Sequence, residues 1–168
     1  MLYEMTVPQY IKVLGNLSKF LDKAAQYADH KKFDTSVLMN SQLAPDQFNF
    51  ARQVQIACDG AKISTSRVTG KEAPKNDDNE KTFSDLKARI ESTVKFLKSI
   101  SEKDFVGAET RSVTTPRWEG KTMLGTNFVI SHAIPNFYFH IAMAYAILRH
   151  NGVDLGKNDY LGELPYQK

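Results

Sequence analysis

Residues 128–148 read FVISHAIPNFYFHIAMAYAIL, the most apolar stretch of the chain. The Arg149-His150-Asn151-Gly152 sequence follows, and basic side chains before a glycine are typical of a helix C-terminus. A run of this length is long enough to cross a bilayer, but its two histidines and its asparagine would be costly in lipid. We therefore expect no membrane span. Instead, the pattern predicts a helix that begins near Thr126 and is buried on one side by a helical bundle and on another by a second subunit.

Three earlier segments have the apolar spacing of helices, with steps of four and three residues. The predicted helices run from Pro8 to Asp29, from Pro45 to Val68 and from Thr82 to about Ile100. Proline suits a first helical position because its missing N–H would be unpaired there. Thr82 followed by Asp85 indicates a capping box, and Gly70 is expected to end the second helix.

The segments outside these helices complete the predicted architecture. Residues 104–124 lack a helical pattern, and Arg111–Thr115 and Lys121–Leu124 are expected to pair as a small hairpin. Residues 153–168 are expected to form an extended tail over the bundle. The charged side chains of the third helix, Arg89 among them, are expected to face solvent. The sequence thus predicts one all-α domain over residues 1–168, an up-down four-helix bundle with a long connection before the last helix.

Composition excludes several classes of protein. The 168 residues are 42% hydrophobic and 24% charged, which is typical of a globular domain. The net charge of +3 comes from interleaved charges without a basic stripe, so we expect no nucleic-acid partner. The one cysteine, Cys58, excludes an internal disulfide and a cysteine-based zinc site. The N-terminus lacks the pattern of a signal peptide, and a cytoplasmic location is expected.

Polar residues at helical spacing form the candidate site. His132, Asn136 and His140 follow one another at steps of four in the last helix, and Gln55 and Asp59 do so in the second. If the two faces meet, the bundle centre contains two imidazoles, two amides and one carboxylate. Bundle cores with such donors bind metals, and imidazole and carboxylate ligands suit zinc, nickel, iron or manganese.

A structural explanation of the same residues stays open. A histidine on an apolar helix is more often a core residue whose hydrogen bonds are made by its neighbours, which applies to His132 and His140. Gln55 and Asp59 would equally fit a polar helix edge.

The segment HAIPNFYFHIAMAYAILRHNGV, residues 132–153, resembles the closing helix of the DinB/YfiT-like superfamily. Metal-binding members carry an HxxxH motif there, ahead of an L-R-x-x-G ending. By this resemblance His140 stands at the second ligand position, Asn136 at the first, and Gln55 at the ligand position of the second helix. Two amides therefore occupy positions where imidazoles are expected, and the resemblance implies a degenerate metal site.

A similarity to one DinB-like family of unknown function, DUF1993, extends over nearly the whole chain. It is carried by VPQYIKVLGNLSKFLDKA, LAPDQFNFARQVQIACDGAK, IPNFYFHIAMAYAILRHNGV and LGKNDYLG. The resemblance implies a DinB-type four-helix bundle, a homodimer, and no established activity.

Three functions follow as hypotheses. The first is a bundle that binds a small polar molecule through Gln55, Asp59, Asn136 and His140, without a cofactor. The second is a metal-dependent hydrolase or thiol-linked transferase with a modified site, in which His140 and either Asp59 or His132 hold zinc or nickel. The third is a structural or interaction role for a homodimer formed through the fourth helix.

Overall fold

The computed structural model describes residues 1–167 as four long helices joined by short elements. The long helices are α1 (Leu2–Lys31), α3 (Phe50–Thr69), α4 (Phe83–Lys98) and α6 (Ile134–His150). The short elements are α2 (Ser36–Asn40), a 3₁₀ helix (Glu102–Phe105), β1 (Ser112–Val113), a 3₁₀ turn (Pro116–Trp118), β2 (Met123–Leu124), α5 (Gly125–Phe128), a π-helical segment (Val129–Ala133) and α7 (Lys157–Leu161). The segments α5, π and α6 follow without a break and form the fourth long helix.

The prediction of an all-α four-helix bundle is confirmed. Helix α1 packs against α4, α3 and α6, and α3 packs against α4 and α6. The apolar stripes meet in one core, whose largest fully buried side chains include Leu14, Phe20, Phe50, Leu86 and Phe137. Each such side chain contributes roughly 1.5–3 kcal/mol by leaving water, so this core is the main source of stability.

Two predicted helix ends are confirmed at the level of single hydrogen bonds. The Thr82 hydroxyl accepts from the Asp85 N–H at 3.1 Å, and the Asp85 carboxylate accepts from the Thr82 N–H at 2.9 Å, which makes a complete capping box. Helix α3 ends at Gly70, whose φ of 77° lies in the left-handed region that glycine tolerates best.

Both helix starts predicted at prolines are wrong. Helix α1 begins at Leu2 and contains Pro8, which removes only the hydrogen bond that residue 8 would donate to the Glu4 carbonyl. Helix α3 begins at Phe50, and the Asn49 side chain caps it by accepting from a backbone N–H at 3.0 Å. Pro45 therefore lies in the turn before α3.

The predicted hairpin in the long connection is confirmed. Strands β1 and β2 are antiparallel, with Ser112 opposite Leu124 and Val113 opposite Met123. At Gly125 an added Cβ would lie 1.8 Å from the Ala108 carbonyl oxygen, so only glycine fits where the hairpin turns into the fourth helix.

The C-terminal tail differs from the extended segment that was predicted. Residues 157–161 form α7, and the Asp159 carboxylate accepts from the Gly156 N–H at its start at 2.8 Å. Lys23 of α1 pairs with Asp159 at 2.8 Å, and Asn16 donates to the Tyr160 carbonyl at 3.0 Å. These bonds to α1 hold α7 on the bundle, while residue 168, also part of the predicted tail, lies outside the described residues. Within residues 1–167, no helix combines the length and apolar character needed to span a membrane.

Candidate functional site

A cleft of about 410 Å³ lies between α3, the fourth helix and the Pro116–Trp118 turn. Four of the predicted polar residues line it: Asp59, His132, Asn136 and His140. Three arginines join them, Arg52, Arg67 and Arg117. Its apolar lining includes Phe48, Ile56, Ile63, Trp118 and Phe128. The cleft therefore combines charged and hydrogen-bonding groups with an aromatic wall.

The ring of His140 is held in one orientation by Gln53. Nδ1 of His140 lies 2.7 Å from Oε1 of Gln53, and the Gln53 amide nitrogen donates to the Phe48 carbonyl at 3.1 Å. Since that second bond fixes Oε1 as the acceptor, Nδ1 of His140 must carry the proton. In a neutral His140, a residue that lines the cleft, Nε2 is then the unprotonated nitrogen.

The surroundings of His140 favour this neutral form. Burial lowers its pKa, and the nearby positive charge of Arg52 lowers it further. Near pH 7 the imidazole is therefore a hydrogen-bond acceptor and a base, the two roles that need the lone pair on Nε2.

His132 lies at the other end of the cleft, in the π-helical segment. Its ring stacks on Phe128 with centroids 5.4 Å apart and meets the edge of Trp118 at the same distance. Nδ1 of His132 is buried and, within residues 1–167, has no hydrogen-bond partner. Burial and then the charge of Arg67 lower its pKa, so this ring is also kept neutral.

Asp59 and Asn136 lie in the middle of the cleft. Oδ1 of Asp59 accepts from Arg89 at 2.8 Å and pairs with Lys62 at 3.0 Å, so its charge is balanced from outside the cleft. The amide nitrogen of Asn136 faces α3 at Gly60, where an added Cβ would meet it at 3.5 Å. Asn136 is thus held close to α3, and Gly60 leaves room beside it.

Gln55 does not line the cleft. Its amide oxygen accepts from Arg52 at 2.9 Å, and its amide nitrogen donates to Glu80 at 2.8 Å. These bonds direct the side chain toward the loop before α4. The helix places residues two apart on different sides, so Gln53, not Gln55, is the glutamine that contacts His140.

Arg89, predicted to face solvent, is buried, with a side chain that is 1% exposed. Its guanidinium bonds to Asp59 at 2.8 Å, Asp78 at 2.7 Å and Glu80 at 2.9 Å. Arg89 therefore ties the 71–81 loop and the cleft residue Asp59 to one buried charge.

The sequence contains a signal for Gln53 and Arg89, whose buried positions we did not predict. Gln53 lies three residues after Phe50 and four before Ala57, on the buried stripe of α3. Arg89 lies three residues after Leu86 and four before Thr93, on the buried stripe of α4. A polar residue within an apolar stripe predicts a buried hydrogen-bonded group, which both turn out to be.

The residues present do not fit the three-ligand metal centre that the superfamily resemblance implies. Of the three implied positions, His140 has a free nitrogen, Asn136 has an amide, and Gln55 is bonded to Glu80 away from the cleft. Asp59 already neutralises two cations. Among residues 1–167, no three histidine, cysteine or acidic side chains come together as a metal site would need.

Cys58 does not supply a nucleophile. It is completely buried, and burial raises the pKa of its thiol to about 12. The thiol therefore stays protonated near neutral pH and acts as a packing group.

Comparison with known proteins identifies the family. Residues 2–161 match the family described as "Domain of unknown function (DUF1993)". The chain is similar to a DinB family member from Shewanella denitrificans, whose crystal structure was solved at 1.83 Å. The two are 54% identical, the match covers 100% of this chain and 96% of that one, and the TM-score is 0.97. No curated protein matches the chain. The chain belongs to the DUF1993 family and is a DinB-like protein.

Proposed function

We propose that this protein binds a small polar organic molecule in the cleft between α3 and the fourth helix, without a metal. The observation that carries the proposal is the fixed His140 ring, which lines the cleft and whose Nδ1 donates to Gln53, so that Nε2 is the nitrogen left to accept a hydrogen bond. A side chain that is held in one tautomer with its lone pair facing a cleft is suited to accept a hydrogen bond from a ligand.

The remaining lining supports the same role. Asn136 offers both a donor and an acceptor one helical turn from His140, which an imidazole bound to a metal would not. Trp118, Phe128 and Ile63 give an apolar surface beside these groups. A cavity of several hundred Å³ with a few polar groups on an aromatic wall is typical of small-molecule sites.

Filling the cleft tests the proposal. Gly60→Leu places a side chain next to Asn136, whereas Gly15→Leu makes the same change on α1, outside the cleft. A metabolite collection is screened by thermal shift against wild type, and each stabilising compound is then titrated calorimetrically into both variants. We expect binding to be lost in Gly60→Leu and kept in Gly15→Leu. Compounds that bind both variants equally, or a screen without a stabilising compound, would refute the proposal.

A second candidate, a homodimer formed through the fourth helix, is favoured by exposed apolar side chains. Phe139 is 53% exposed and Ile130 is 50% exposed on that helix, and Phe48, just before α3, is 56% exposed. A second copy packed on these side chains would remove their apolar surface from water, the main driving force of protein association. Tyr145 of the same helix is half-buried beside Phe20 and Tyr160 and is not one of these exposed groups.

Light scattering distinguishes the dimer from a monomer. Phe139→Lys is expected to halve the mass in solution, whereas Val106→Lys, at an 80% exposed position in the connection, leaves it unchanged. A wild-type mass of 19.0 kDa, that of one chain, would exclude this candidate.

A further inference from the structure

We infer that the molecule bound in this cleft is a small organic oxyanion, whose carboxylate or phosphate group pairs with Arg67. The inference rests on the proposed function, because it specifies the chemical class that the same cleft binds. Arg67, Arg117 and the aromatic ring of Trp118 line one end of the cleft together with His132.

The charges around the cleft do not balance. Three arginines line it against one carboxylate, Asp59, and that carboxylate is already paired with Arg89 and Lys62. Arg52 is paired with Asp78 at 2.6 Å. The positive charges of Arg67 and Arg117 are therefore left without a counter-ion from the cleft lining.

Arg67 is the informative one of the two, because it is half-buried while Arg117 is exposed. Within residues 1–167, Arg67 makes no ion pair and no side-chain hydrogen bond, in contrast to Arg89 with its three acidic partners. Partial burial lowers the pKa of Arg67, the expected effect of removing a cation from water without a counter-ion. An arrangement of this kind reduces stability unless an anion completes it.

The neighbours of Arg67 indicate the rest of the ligand. A guanidinium binds a carboxylate or a phosphate through two parallel hydrogen bonds, which places the anion at this end of the cleft. Trp118, Phe128 and Ile63 then provide the surface for an apolar or aromatic body. His132 completes the end with a buried Nδ1 that lacks a partner among the described residues.

Fluorescence of Trp118, the one tryptophan of the chain, reports on this end of the cleft directly. The probes are 3-phenylpropionate, phenyl phosphate and the neutral 3-phenylpropanamide. They are titrated into wild type, Arg67→Gln and the control Arg111→Gln, which removes the same charge from an exposed residue that does not line the cleft.

We expect at least one anion to change Trp118 fluorescence and to bind about tenfold or more tightly than the amide, the usual effect of a charge-assisted pair. Arg67→Gln should lower the affinity for that anion by a similar factor, whereas Arg111→Gln should change this affinity less than about twofold. Which of the two anions binds more tightly identifies the headgroup.

Stability without ligand separates a binding role from a structural one. Since Arg67 has no counter-ion among the described residues, the unliganded Arg67→Gln variant should melt at the wild-type temperature or above it. A lower melting temperature would mean that Arg67 stabilises the fold, and would overturn the inference. Equal affinity for the amide and the anions would overturn it too, but would leave the proposed function intact. If none of the three probes binds at millimolar concentrations, the proposed function fails together with the inference.

Discussion

Replacement of Arg89 by methionine should destabilise the protein more than any surface substitution on the same helix. Methionine replaces arginine with a shorter, unbranched apolar side chain and removes the charge that Asp59, Asp78 and Glu80 share. Asp59 keeps Lys62 as a partner, and Asp78 keeps Arg52. Within residues 1–167, Glu80, with a side chain that is 8% exposed, keeps the hydrogen bond from the Gln55 amide but no cationic partner.

The size of the stability loss follows from the Glu80 carboxylate, which stays buried without a cationic partner. Removing one partner of a buried ion pair costs about 3–5 kcal/mol, because the other charge stays out of water. For a domain of this size, that loss corresponds to a fall of about 10 °C in melting temperature. Lys87→Met is the matched control, because Lys87 lies on the same helix but pairs with Asp22 in solvent, where an ion pair contributes about 0–1 kcal/mol.

A second substitution tests whether the unpaired Glu80 carboxylate causes this loss of stability. In the Arg89→Met background, Glu80→Gln should recover part of the lost free energy of unfolding, whereas in wild type the same change should destabilise. Urea unfolding of the four proteins measures this reversal of sign as a double-mutant cycle. The reasoning is refuted if Arg89→Met costs no more than Lys87→Met, or if Glu80→Gln has the same sign in both backgrounds.

The contribution of Arg89 should also depend on pH. Burial raises the pKa values of Asp78 and Glu80, but hydrogen bonds from Arg89, with those from Arg52 and Gln55, outweigh it and hold both pKa values below their usual range. The unfolded carboxyl groups take up protons first, so the stabilisation is present above pH about 4 and is lost as pH falls through the lower folded values. The difference between wild type and Arg89→Met should therefore shrink between pH 5 and pH 3, about the window of these groups.

Three further predictions concern the cleft and its helices. Gly60→Ala and Gly15→Ala should each raise the free energy of unfolding by about 0.5–1 kcal/mol in urea titrations, because glycine is unfavourable inside a helix. The added Cβ finds ordinary contact at 3.5 Å in the first case and no atom of residues 1–167 within 4 Å in the second, and a loss of stability in either would contradict this packing. Added Zn²⁺ should leave the wild-type melting temperature unchanged but raise that of Asn136→His, because the new imidazole and that of His140 then stand four residues apart on one helix face. Equal shifts would show that the wild-type donors already bind zinc. In NMR titrations His140 should titrate below its usual pKa of about 6.5, because of burial and then of Arg52, and Arg52→Gln should raise the value. The unfolded chain then takes up this proton first, so stability should fall as pH decreases from about 6.5 toward the lowered value; an unshifted His140 would disprove both expectations.

The parts of the fold that could be predicted from sequence are those with local causes. The Thr82 capping box, the Gly70 helix end and the β1–β2 hairpin each depend on a few adjacent residues, and all three are observed. The starts at Pro8 and Pro45 were wrong because a proline permits a first position without requiring one. Helix α1 starts earlier because Leu2 is buried in the core, a tertiary contact. Helix α3 starts later because the Asn49 side chain caps it, a local signal that competes with Pro45.

The candidate site was only partly predictable, for a different physical reason. Spacing along one helix predicts that His132, Asn136 and His140 share one face, and all three line the cleft. Spacing within α3 places Gln53 on the buried stripe of that helix. Which residue of α6 it faces depends on how the two helices are rotated against each other. A rotation that turns Gln53 toward His140 necessarily turns Gln55 toward Glu80. The contribution of the connection, Trp118 and Arg117, depends on a chain path that has no periodic signal.

Arg67 and Arg89 differ in whether the protein supplies partners for their charge. Arg89 lies behind α3 with three carboxylates, so its charge is satisfied and holds Asp59 and the 71–81 loop in place. Arg67 lies on the cleft side and remains unsatisfied among the described residues, as does Nδ1 of His132. Two further buried polar atoms lack a partner among residues 1–167, Oη of Tyr10 and Nε of Arg89, and neither residue lines the cleft. Arg67 and Nδ1 of His132 differ from these two atoms because both residues line the same end of one cleft, where a bound ligand would supply the missing partners.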